Sequence, residues 1–484
     1  MGVAALVQVV PRAVLARLHV AVAPLSCVAD QASEGPSSRL RRGEGFFSLA
    51  GRMGHKSNWK PILEGLLVDS ALESIRAIAT DIIKIDPTKQ ADFLLSQSAL
   101  LFAYLAQIEP SAEWQDRAVD CLNLTIERVS ASFHHWNLGL HGGLSEVGWS
   151  IEHITQVLAQ SDASSEIQAE NYGAEDSDAE DPIAAIDDLL NRRLEQHSLP
   201  AVYDLISGLV GMGVYCLERL PREAAVRGIE HIVHDLEELM ERSLPGVTWF
   251  TPPEYMAKQQ LKQSPGGYYN LGVAHGVPGI VSFLSQVVTA GVEGRRAQAL
   301  LEGSVEWLMA QQRPPQAQSR YSYWCLPGQD GGDSRLAWCY GDLGIAATLL
   351  LSSRLAAKPE WETAGTALMD RCVAWPVDRT GVLDAALCHG ALGVAHIFNR
   401  AYQDDGNETY RNAARVWFEH GLAMRQPGKG VGGFLAWKPE KPNWDPDPSF
   451  LSGSIGIALA LLSAIYPVEP EWDRLLLLSS RSPA

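Results

Sequence analysis

Three short boxes in this 484-residue chain carry side chains suited to binding a metal ion. WCYG places Cys339 two residues before Gly341, LCHG places Cys388 and His389 directly before Gly390, and AHG places His275 directly before Gly276. Two cysteines and a histidine suit Zn2+, and three protein ligands leave a fourth tetrahedral position open, as in catalytic rather than structural sites. If the boxes open helices, the helix dipole also favours thiolate over thiol. Spacing alone is a weak metal signal, because 49 positions separate Cys339 from Cys388. What links these residues is a matching register in a repeat. The bland reading, a small buried thiol, is kept for Cys121, Cys216, Cys325 and Cys372. His134, His135 and His396 read as surface or satisfied core residues.

The repeat is a box of a small or polar residue, glycine, two residues, glycine and an apolar residue, continuing as an apolar helix. It occurs as HGGLSEVGW (141–149), SGLVGMGVY (207–215), HGVPGIVSF (275–283), YGDLGIAAT (340–348), HGALGVAHI (389–397) and SGSIGIALA (452–460). The first glycines, Gly143, Gly208, Gly276, Gly341, Gly390 and Gly453, are 65, 68, 65, 49 and 63 residues apart. SQSALLFAY (96–104) reads as a degenerate copy without glycines, and Glu146 replaces the second glycine of the 141–149 copy. Stretches 63–84, 95–107, 222–243 and 295–311 carry apolar residues at three- and four-residue spacing, so the chain reads as helical. A period of roughly 60 residues holds two helices and their connections. Six or seven such pairs stack as an open solenoid or close into a toroid, and periodicity does not choose between them. In a toroid the boxes would gather at one end, around a shared cavity.

Apolar residues make up 46% and charged residues 20%, enough for a sizeable core. The net charge of −18 argues against nucleic-acid and anionic-membrane partners. No apolar run approaches the roughly 20 residues of a membrane span. Seven cysteines in a long chain are no disulfide framework, and reduced thiols point to the cytoplasm. Residues 1–52 are apolar and arginine-bearing, with few acids, and read as an over-extended start before Met53, leaving 53–484 as the folded domain. Residues 159–189 hold ten acids and no base, and read as a solvated, mobile insertion.

The boxes YDLISGLVGMG (203–213), AHGVPGI (274–280), RLAWCYGDLGIA (335–346) and LCHGALGVAH (387–396) resemble those of the lanthionine synthetase C family of cyclases, over roughly residues 60 to 475. The resemblance implies an all-α fold, an α/α toroid of two concentric helical layers. It implies zinc-assisted addition of a peptide cysteine thiol to dehydroalanine or dehydrobutyrine, giving (methyl)lanthionine rings. Cys339, Cys388 and His389 match the family's zinc ligands, and His275 its active-site histidine. Asp204 matches the acid opening the SGLxG box, while Arg335 and Tyr340 stand at positions kept beside the first ligand. A helix N-cap is the plain alternative for Asp204 and a surface ion pair for Arg335. The chain has no room for a fused dehydratase half and no kinase signature. The expected substrate is therefore a dehydrated precursor peptide made by a separate dehydratase. Two other functions remain open: addition of a small thiol such as glutathione to dehydroamino acids, and a non-catalytic zinc-containing peptide-binding scaffold. A prenyltransferase-like zinc enzyme fits less well, since its metal set usually includes a carboxylate.

Overall fold

Every glycine box opens a buried helix in the computed structural model. It describes residues 58–481 except 90, 110, 133–135, 163–180, 182, 197–201, 244, 257 and 439–441. The helices in chain order are α1 (Leu66–Lys84), α2 (Asp92–Ile108), α3 (Ala112–Ser132), α4 (Leu144–Asp162), α5 (Ala184–Glu195), α6 (Leu209–Arg219) and α7 (Glu223–Leu239). They continue as the short α8 (Lys258–Gln263), then α9 (Val277–Thr289), α10 (Gly294–Ala310), α11 (Asp342–Ala356), α12 (Pro359–Val373), α13 (Ala391–Asp405), α14 (Glu408–Ala423) and α15 (Ser454–Ile465).

Two burial patterns separate two layers. Every residue of α6 is buried, as in a helix that is apolar all round. Its partner α7 buries only the stripe Ala225, Gly228, Ile229, Ile232, Val233 and Leu236. Inner helices pack in sequence, α2 on α4, then α6, α9, α11, α13 and α15, and α15 returns to α2. The ring is closed, and the degenerate copy at 96–104 lies in its first member. An α/α toroid of seven pairs results, with each outer helix following its inner partner. The seventh pair breaks this order, because the chain's start supplies its outer helix. α1 packs on α15, Trp59 Nε1 donates to the Ser463 carbonyl at 2.7 Å, and Ile62 N donates to the Ala464 carbonyl at 2.9 Å.

The boxes meet at one end through backbone hydrogen bonds between their loops. His141 N donates to Ile206 O (3.0 Å), Leu205 N to Ala274 O (3.2 Å), Ala274 N to Cys339 O (3.4 Å), Cys339 N to Cys388 O (3.2 Å) and Cys388 N to Leu451 O (2.9 Å). The degenerate repeat interrupts this belt, and side chains bridge the gap. Phe450 N donates to Gln97 Oε1 at 2.9 Å. Gln97 Nε2 donates to Glu146 Oε1 at 2.6 Å, and Gly142 N donates to Glu146 Oε2 at 2.6 Å. Glu146, the departure from the glycine pattern, is thus a link in the belt, and burial pushes its carboxyl up to about 7. Gly341 stands at φ 96°, and a Cβ there would overlap the Arg335 carbonyl oxygen, so only glycine lets this loop turn into α11.

Short strands decorate the same loops. A four-stranded antiparallel sheet orders as β3 (Phe250–Thr251), β4 (Tyr268–Asn270), β5 (Trp324–Leu326) and β6 (Gln329–Asp330). Two hairpins, β1 (Glu241–Arg242) with β2 (Val247–Thr248) and β7 (Ala436–Lys438) with β8 (Asn443–Asp445), complete the strands of the described residues.

The acidic stretch 159–189 corrects one expectation. Its end is no solvated insertion: residues from Ala184 belong to α5, and buried Asp187 pairs with buried Arg219, which also takes Asp181 and Glu152. A buried guanidinium draws carboxylates inward, because an unpaired buried charge is costly. Most of the stretch, and all of residues 1–52, lie outside the described residues. No helix among the described residues is long and apolar enough to cross a membrane.

Candidate metal centre

The belt fixes the spacing of the candidate ligands. Cys339 and Cys388 stand two residues before their box glycines on adjacent loops, joined by the Cys339 N to Cys388 O bond. His389 follows directly. The two Sγ atoms and one imidazole nitrogen all lie within 4.8 Å of one another. Three donors so close compete for protons. The hydrogen bond from Cys388, then His389 and the Arg335 charge, pulls the Cys339 thiol well below its usual range. The same contact, with burial, pushes Cys388 well up. Burial opposes charge on His389, yet the contact with Cys339 raises its imidazole. Soft sulfur donors with one imidazole at this separation fit a single tetrahedral divalent cation, so these three residues could hold a metal ion.

Beside them stands a second pair. His275 Nδ1 lies 2.6 Å from Asp204 Oδ2, with side chains 41% and 12% exposed. Burial works against charge on both, but their mutual hydrogen bond outweighs it, raising His275 and lowering Asp204. Asp204 is not the N-cap of α6, a position held by Gly208. Its Oδ1 accepts instead from Ser207 N at 2.8 Å, which fixes the carboxylate. Tyr340 and His275 have ring centroids 6.5 Å apart, and the Tyr340 hydroxyl accepts from Asn270 Nδ2 at 3.1 Å. Arg335 is half-buried rather than in a surface ion pair. Its Nε donates to the Tyr323 hydroxyl at 3.4 Å, and burial is outweighed by Tyr323 and the two cysteines, which raise it. All seven singled-out residues thus occupy one end of the ring.

Cys121, Cys216, Cys325, Cys372 and His396 follow the bland reading. Cys216 and Cys372 are buried, and Cys121 and Cys325 are half-buried. His396 is a fully buried core residue bonded to Asp473 and Ser463. Cys27, His134 and His135 lie outside the described residues.

Three neighbours were not apparent from sequence. Asn270 arrives on β4 and Tyr323 directly before β5, on a small sheet that has no counterpart in the glycine pattern. His141 stands in the register of Cys339 and Cys388, two residues before Gly143, so the register itself was a usable signal. Its ring nitrogens are buried without a well-formed hydrogen bond. Burial pushes it down to about 4, against smaller opposing effects of the Leu475 backbone and Asp204.

Residues 98–477 match the family described as lanthionine synthetase C-like protein. Among solved structures, nisin cyclase superposes with a TM-score of 0.65 at 18% sequence identity, covering 83% of this chain and 97% of that one. That likeness is one of fold, and it agrees with the closed double ring. With the family match spanning most of the described ring and all seven site positions, the chain belongs to the lanthionine synthetase C-like family.

Proposed function

We propose that this protein is a zinc-dependent cyclase that adds cysteine thiols of a dehydrated precursor peptide to dehydroalanine or dehydrobutyrine. The observation that carries the reading is the Cys339, Cys388 and His389 cluster beside the His275–Asp204 pair. Nisin cyclase, similar in fold, is named for a cyclisation, and a separate dehydratase would supply the substrate.

Addition of a thiol across a carbon–carbon double bond breaks one S–H bond and forms one C–S and one C–H bond. No electron and no net proton is exchanged with solvent, so neither redox cofactor nor nucleotide is needed. A free thiol has a pKa of about 8.5, and Zn2+ held by the three side chains would convert a coordinated substrate thiol to thiolate. His275 then does the proton work. Asp204 takes its Nδ1 side, which leaves Nε2 to exchange a proton with a bound substrate and keeps the ring a proton carrier near neutrality. It protonates the α-carbon after the C–S bond forms. Asp204, clamped by Ser207 N, orients the ring and balances its charge. The Tyr340 hydroxyl accepts from Asn270, so its own proton is free to donate to the enolate oxygen, and the Arg335 guanidinium stabilises the same developing charge.

Elemental analysis of purified protein beside Cys388→Ala tests the metal. One zinc per chain, lost or greatly weakened in the variant, is expected. Thiol alkylation of a dehydrated, cysteine-containing peptide tests the chemistry, because ring closure removes a thiol without changing mass. A folded native protein that holds no zinc, or that closes no ring, would overturn the proposal.

A further inference from the structure

The chain's last described residues run into the middle of the inner ring. Pro470 leads into a 3-10 helix, Glu471–Leu476, and Trp472, Leu475, Leu476, Leu477 and Leu478 are all buried. Three ring members grip this segment. From α2, the Tyr104 hydroxyl accepts from Trp472 N at 3.0 Å. From α13, His396 Nε2 lies 2.9 Å from Asp473 and Arg400 Nε donates to the same carboxylate at 3.0 Å. From α6, Glu218 accepts from Arg474 at 3.1 Å, and Arg481 donates to the Leu220 carbonyl at 3.0 Å. Anchored on three sides, the segment stands in fixed relation to the ring.

It meets the loop that carries Cys339 and the loop before α15 to which the Cys388 backbone is bonded. Trp338, directly before Cys339, donates from Nε1 to the Leu476 carbonyl at 2.9 Å. Trp472 meets Phe450 edge-on, centroids 5.8 Å apart. The next residue, Leu451, accepts the backbone bond from Cys388. Leu477 sits at φ 55°, a left-handed conformation that a branched side chain keeps only when its surroundings dictate it. The fold thus tolerates strain in the residue directly after the Leu476 carbonyl.

We propose that the segment Pro470–Arg481 is a positioning element of the metal centre, holding the Cys339 and Cys388 loops at ligand spacing from beneath. This rests on the metal-centre reading above. Hydrogen bonds behind metal ligands set their orientation, and losing one typically lowers metal affinity about 10- to 100-fold. The carbonyl of Leu476 acts through Trp338 on the Cys339 loop, and Trp472 acts on the Cys388 loop at one remove, through Phe450 and the Leu451 carbonyl that Cys388 N meets.

The test is zinc affinity by chelator competition, with the visible spectrum of the Co2+-loaded protein as a second readout. Trp338→Phe keeps an aromatic ring in the core and deletes the donor, with a loss of ring volume that the control shares. Trp249→Phe is the control, since Trp249 is equally buried and its Nε1 donates to the Leu236 carbonyl at 2.8 Å, in the outer layer. Trp338→Phe should weaken zinc binding about tenfold and shift the Co2+ bands. Trp249→Phe should lower thermal stability while leaving both metal readouts unchanged. Native metal readouts in Trp338→Phe would overturn the inference, whatever its melting temperature. Absence of zinc from the native protein would instead overturn the metal-centre reading, so the two failures are distinguishable.

Discussion

Two histidine–aspartate pairs in this molecule share a chemistry and differ in fate. His275 Nδ1 lies 2.6 Å from Asp204, and His396 Nε2 lies 2.9 Å from Asp473. The first histidine is 41% exposed, while both members of the second pair are fully buried. Burial lowers both imidazoles, but Asp204 outweighs it at His275, which is raised. At His396 burial prevails and the imidazole is lowered. Complete burial weighs most at His396, and Arg400, with Nη2 2.9 Å from Asp473, adds its own repulsion, whereas the nearby Cys339 adds to the rise at His275. Asp204 has no guanidinium within ion-pair distance among the described residues, so its charge is spent on His275.

The largest effect expected from this contrast is on stability. Asp473→Ala removes the buried carboxylate shared by His396 and Arg400, leaves Arg400 only the partly exposed Glu469 as ion-pair partner, and should cost about 3–5 kcal/mol, measured by urea unfolding. Asp204→Ala, whose histidine partner is 41% exposed and left able to meet water, should cost less, about 1–3 kcal/mol. Equal losses would erase the distinction between core and site. The next effect is on rate. His275→Ala should slow ring formation about 100-fold or more with zinc content and melting temperature near native, and an unchanged rate would remove His275 from proton transfer.

The smallest effect is on the pH dependence of stability, where the two histidines carry opposite signs. His275 holds its proton more tightly when folded. Its contribution is therefore complete below its ordinary value of 6.5 and is lost as pH rises through the raised folded value. Asp204, held below its ordinary 3.8, contributes fully above that value and loses the contribution as pH falls through its depressed one. His396 binds its proton less tightly when folded. Its contribution is complete above 6.5 and falls as pH drops through the lowered value. Asp204→Asn should flatten the alkaline-side loss attributed to His275, and His396→Gln the acid-side one. Titration of the two ring signals by NMR should find His275 above 6.5 and His396 below it; the reverse order would sink the comparison.

Much of the site was legible because it is written in register. Position two before the box glycine holds His141, Cys339 and Cys388, and position one before holds His275, Tyr340 and His389. A repeat that opens each inner helix the same way delivers those positions to the same end of the ring. His141 was overlooked although its register was the same. Asn270 and Tyr323 were not legible, since a two- or three-residue strand has no periodicity to read. The end of the acidic stretch misled because its composition is that of a solvated segment, whereas Arg219, more than 30 residues further on, buries Asp187.

The sequence by itself determined the helical layers, the box that starts each inner helix and the donors those boxes carry, because apolar spacing and glycine act over one or two turns. Tertiary structure alone decided that the pairs close into a ring of seven, that α1 completes the last pair, and that the C-terminal segment packs against the Cys339 loop. Those outcomes rest on bonds such as Trp59 to Ser463 and Trp338 to Leu476. They also decided which aspartate meets which histidine. Partners separated by 71 to 404 residues leave no local pattern, since only the packing of the whole ring brings them within reach.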